Sequence, residues 1–78
     1  MSFMTEVEAA EALLGYYRHP AGVIPGGFAT QLIVCFEKAD AGNRLRLMTG
    51  FPEFVRPIRI IQTLGADALA EEMKVWGK

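Results

Sequence analysis

The sequence predicts a small all-α domain of four to five short helices, and three observations predict it. Apolar residues recur at helical spacing in successive segments, proline and glycine punctuate the chain between them, and capping residues stand where segments begin. The 78 residues make one domain near the lower size limit for independent folding. With 51% apolar and 22% charged residues, the balance is that of a globular chain and not a disordered one.

The segment "TEVEAAEALLGYYRHP" reads as the first helix. Thr5 and Glu8 have capping-box spacing, and the carboxylates gather at the N-terminal end, where the helix dipole favours them. Val7, Ala10, Leu14 and Tyr17 recur on one face, Leu13 widens it, and Pro20 ends the helix. "AGVIPGG" is then a loop, in which Gly26 and Gly27 permit a tight turn between helices.

From Phe28 two templates compete. As a helix, Phe28, Leu32, Cys35, Phe36 and Ala39 form one apolar stripe, with Thr30, Gln31, Glu37 and Lys38 opposite. As strands, "QLIVCF" and the alternating "RLRLM" form a hairpin over about 28–49, an α+β alternative. The helix is favoured because the stripe separates apolar from polar positions. Val34 then projects into the polar arc, either as an ordinary exposed valine or as a contact across an interface.

Gly42 suggests a break or cap, and Asn43 is placed as the N-cap of a short helix ending near Gly50. Pro52 suits the first turn of the next helix, which carries Phe54, Ile58 and Ile61 on one face and Arg56, Arg59 and Thr63 on the other. Pro57 lies a turn inside, where its missing N–H costs least, and Gly65 suits a C-terminal cap. "ADALAEEMKVWGK" makes the last helix, with Leu69, Met73 and Trp76 on one face.

Composition narrows the function. A net charge of −1 with mixed signs disfavours duplex nucleic acid as a partner. The longest uncharged stretch, Pro20 to Phe36, is broken by Pro25, Gly26 and Gly27, so no membrane span is expected. The acidic opening lacks the pattern of a secretion signal, and the single cysteine fits a reducing compartment, so a cytoplasmic location is expected. One cysteine and one histidine make neither a disulfide nor a structural zinc site; no metal or cofactor is expected. A core this small rarely supplies more than about 3–5 kcal/mol, so a homo-oligomer is expected.

Candidate sites are few. Pro25-Gly26-Gly27 lacks the phosphate-loop patterns, which leaves a structural turn. Asp40, Asn43 and Arg44 form a junction. There Arg44 either pairs with Asp40 four residues back or, with Arg46, recognises a phosphate or carboxylate. Arg56 and Arg59 either grip an anion or are solvated surface. Cys35 reads as core, His19 has no nucleophile beside it in sequence, and no enzyme is expected. "QLIVCF" loosely resembles sliding-clamp-binding peptides, but these bind extended.

Taken together, "VIPGGFATQLI", Ala39-Asp40 with Asn43 and Arg44-Leu45, and "GFPEFV" resemble a diffuse group of small proteins encoded by bacteriophages and prophages, especially those of actinobacteria. The resemblance covers roughly residues 11–61; Pro57 and the tail from Thr63 lie beyond the shared pattern. It implies helices and a phage origin, and carries over no functional residue. The expected function is a phage accessory protein that binds a host protein in the host cytoplasm through Val34 and arginine-bearing faces. The alternative is a sequestering protein for a nucleotide-type defence signal, held by Arg44, Arg46, Arg56 and Arg59.

Overall fold

Thr5 starts the first helix as its spacing from Glu8 predicts. In the computed structural model, which describes residues 4–76, α1 spans Glu6–Tyr16. The Glu8 N–H donates to Thr5 Oγ1 at 3.1 Å and the Thr5 N–H to Glu8 Oε1 at 2.8 Å, so the two satisfy each other's open donors. Residues 1–3 of the acidic opening and residues 77–78 of the tail lie outside the described residues.

The helix closes before Pro20 is reached. His19 N–H donates to the Leu14 carbonyl (2.8 Å) and Arg18 N–H to the Gly15 carbonyl (3.0 Å), a paired closure that places Arg18 in the left-handed region at φ 63°. Beyond it the chain folds back across its own helix. A Cβ on Gly15 would lie 1.9 Å from the Val23 carbonyl oxygen, and one on Gly22 would lie 2.1 Å from the Gly15 nitrogen. The close approach expected at Gly26 and Gly27 is therefore made at Gly15 and Gly22. A Cβ on Gly26 or Gly27 would meet nothing.

The rest of the described chain is helical, with α2 at Gly27–Lys38, α3 at Ala41–Gly50, a 3₁₀ turn at Pro52–Phe54, α4 at Val55–Leu64 and α5 at Ala66–Met73. No strand occurs among the described residues, so the hairpin alternative over 28–49 does not form. Gly26 caps α2 without a side chain, Pro52 opens the 3₁₀ turn, and Gly65 separates α4 from α5 at φ 94°. Asp40, not Asn43, caps α3: its Oδ1 accepts the Asn43 N–H at 2.9 Å, and Gly42 lies inside the helix. The aspartate stands one residue before the first helical position, where its carboxylate reaches the third free donor.

α1 packs against α2, α4 and α5, with Leu13, Leu14, Ile33, Phe36, Phe54, Ile58 and Leu69 buried at the centre. The Phe36 and Phe54 rings lie 5.7 Å apart, and truncating either to alanine would cost about 3–5 kcal/mol. The buried face of α2 is rotated from the expected stripe. Ala29, Leu32, Ile33 and Phe36 are buried, whereas Phe28 is 59% exposed and Cys35 is exposed. Tyr17, expected on the core face of α1, is 46% exposed. The run Leu32-Ile33-Val34-Cys35-Phe36 is apolar around the whole helix, so the helices packed against it select the buried arc.

Candidate functional site

The rotation of α2 turns a second apolar flank outward. Val34, Cys35, Lys38 and Ala39 share that flank, and α3 runs beside it after a two-residue link through extended Ala39 and Asp40. Between the two helices lies an open groove of about 480 Å³, lined on its other side by Asn43, Arg46 and Leu47 of α3 and by Phe51. Phe28 extends the apolar surface, its ring 6.3 Å from that of Phe51. None of the residues of α3 is buried, and Leu45 is 66% exposed. Leu47 and Met48 pack half-buried against the core, so what α3 leaves open is the exposed side of Leu47 in the groove and, outside the groove, Leu45.

Arg44 holds α3 in place. Its guanidinium donates to the Phe36 carbonyl of α2 at 2.9 Å and to Gln62 Oε1 of α4 at 2.9 Å. The expected Asp40–Arg44 pair does not form, because Asp40 is occupied as the cap and the arginine reaches an open carbonyl near the C-terminus of α2. Arg44 is thus a clamp between three helices.

The four candidate arginines divide by role. Arg46 lines the groove, and none of the other three does. Arg56 is paired with both carboxylate oxygens of Glu6 through the Nε–Nη2 edge of its guanidinium, its Nε donating at 2.9 Å, and the guanidinium lies 4.0 Å from the centroid of the Trp76 ring. Arg59 is exposed and has no ion pair among the described residues. Val34 is half-buried on the groove wall, beside the exposed Cys35 and Lys38.

Sequence reasoning missed Lys38, Leu47 and Phe51 as groove residues. A signal was present: at 100° per residue, Leu45, Leu47 and Met48 cannot all face one core, so some apolar surface of that helix had to remain open. The near-continuous apolar run in α2 carried the same message for Val34 and Cys35.

Two other polar clusters are internal fasteners. Tyr16 donates to Glu37 Oε1 at 3.0 Å and Tyr17 to Glu37 Oε2, the rings standing edge to face at 4.9 Å. The bond to Glu37 raises the Tyr16 pKa; burial first, and then the same carboxylate, raises that of Tyr17. His19 bridges Asp67 through Nε2 at 2.7 Å and accepts the Ala21 N–H at Nδ1 (3.0 Å), which assigns the ring proton to Nε2. A cleft of about 640 Å³ opens beside Tyr16, Arg18 and His19, but two of those three side chains are already bonded within the chain.

No group of His, Cys, Asp and Glu among the described residues could hold a metal ion, and no described helix is long and apolar enough to cross a membrane. No family model, curated protein or solved structure matches the chain.

Proposed function

We propose that this chain is a non-enzymatic phage accessory protein that docks on a host protein, in the host cytoplasm, through the α2–α3 groove. The observation that carries the reading is the open groove lined by Val34, Cys35, Leu47 and Phe51, whose α3 wall is only half-buried against the core. Covering such a surface returns about 25 cal/mol for each Å² of apolar area removed from water. The phage origin and the host as partner rest on the sequence resemblance over residues 11–61.

The test is affinity capture from actinobacterial lysate with the wild-type protein, Val34→Asp and, as a surface control, Arg59→Ala. Circular dichroism first confirms that all three fold. A host protein held by wild type and Arg59→Ala but lost by Val34→Asp is the expected result. Capture that is absent at native salt, or unchanged by Val34→Asp, would contradict the reading.

The second reading, sequestration of a nucleotide-type signal, is favoured by Lys38 and Arg46 with the Phe51 ring in one groove, whose size falls within the range of about 300–1,000 Å³ of small-ligand sites. Thermal shift with linear and cyclic nucleotides decides it, since ligand at a hundredfold excess over Kd adds about 2.7 kcal/mol. A homo-oligomer is the third way to cover this face. A two-fold contact through the groove would bring Lys38 and Arg46 of both copies into one interface with no carboxylate lining it, which opposes it.

A further inference from the structure

We infer that the groove takes an amphipathic helix whose apolar face is bordered by carboxylates. The inference rests on the docking reading and names the chemistry of the partner. Charge comes first: Lys38 stands on the α2 wall and Arg46 on the α3 wall, so the apolar floor between them is bordered by a cation on each side. Neither side chain has an ion-pair or hydrogen-bond partner among the described residues, and no carboxylate lines the groove. A partner that brings anions to both walls meets two exposed cations that have no partner among the described residues. A basic partner meets repulsion there.

Backbone chemistry decides the form of the partner. Both walls are helices, whose N–H and C=O groups are bonded internally except in the last turn of α2 and the first turn of α3. An extended peptide binds a sheet edge through its own backbone, and this groove offers no edge to pair with. A helix arrives with its backbone already satisfied and needs only side-chain contact. Apolar anchors at i, i+3 or i+4, and i+7 would lie on Val34, Leu47 and Phe51, with acidic residues on the flanks facing Lys38 and Arg46.

A random peptide library displayed on yeast, selected against the 78-residue chain, tests this. Cys35 lies in the groove and is the only cysteine, so its alkylation rate reports occupancy. Enriched peptides are expected to combine helical apolar spacing with Asp or Glu beside it, and to slow Cys35 alkylation. Arg46→Glu is expected to weaken them about tenfold, and selection against Lys38→Glu with Arg46→Glu to enrich Lys and Arg instead. Enrichment of uncharged or basic peptides by the wild-type protein, an empty selection, or binders that leave Cys35 alkylation unchanged would overturn the inference. If lysate capture still depends on Val34 in those cases, docking stands and only the acidic-helix chemistry falls. If capture ignores Val34→Asp, the docking reading itself falls.

Discussion

The Arg44 guanidinium donates to the Phe36 carbonyl at 2.9 Å, and this bond joins α3 to α2, the opposite wall of the groove. The same side chain reaches Gln62 of α4, so one residue holds three helices. Arg44→Ala is expected to destabilise the protein by about 1–2 kcal/mol in urea denaturation, the scale of a bond from a charged donor. Hydrogen exchange should rise most in α3. Arg44→Lys is expected to recover only part of the loss, because an ammonium lacks the planar fork that reaches both acceptors.

Arg18 occupies the left-handed position that closes α1, where glycine carries no steric penalty. Arg18→Gly is expected to raise stability by about 1 kcal/mol, read as an increase in the urea midpoint. Gly22→Ala is expected to do the reverse, and more strongly. Its Cβ would lie 2.1 Å from the Gly15 nitrogen, and a backbone contact cannot rotate away.

Glu37 accepts from both tyrosines, and their ionisation is displaced upward, by burial and then Glu37 for Tyr17 and chiefly by Glu37 for Tyr16. A folded-state value above the unfolded one, about 10 for tyrosine, means that the stabilisation is fully present below about pH 10 and is lost as pH climbs toward the folded value. Ultraviolet titration should show Tyr17 ionising later than a free phenol and in step with alkaline loss of helix. Glu37→Gln is expected to bring ionisation earlier. Tyrosinate forming at the free-phenol pH in the wild-type protein would contradict this.

Glu53 is 6% exposed; its Oε2 accepts the Met4 N–H at 3.2 Å, and its Oε1 has no partner among the described residues. A buried carboxylate with one open oxygen carries a desolvation penalty that a neutral isostere avoids. Glu53→Gln keeps an acceptor for Met4 and is expected to raise stability by about 1 kcal/mol. A loss of similar size would show that the charge itself is needed.

The elements were legible in the sequence because their signals are local. Thr5 and Glu8 mark one helix start, Pro52 opens the next turn, and Gly65 closes α4 as its position suggests. The facing of α2 was not legible, because five consecutive apolar residues satisfy more than one buried arc, and packing against α1 selects Ile33 over Cys35. Arg44 was recognised as a residue that needs a partner, but its acceptors lie 8 residues back and 18 ahead. Spacing rules reach only a turn or so along a helix. The exchange of roles between Asp40 and Asn43 has the same scale as any helix boundary read from sequence.

The central claim is that the α2–α3 groove is where the protein meets its partner, and Cys35 reports on it most directly. Its alkylation, followed by mass spectrometry, should proceed freely in the isolated protein and slow roughly tenfold or more in the complex captured from host lysate. Equal rates in the free and captured protein would place the partner elsewhere and contradict the claim.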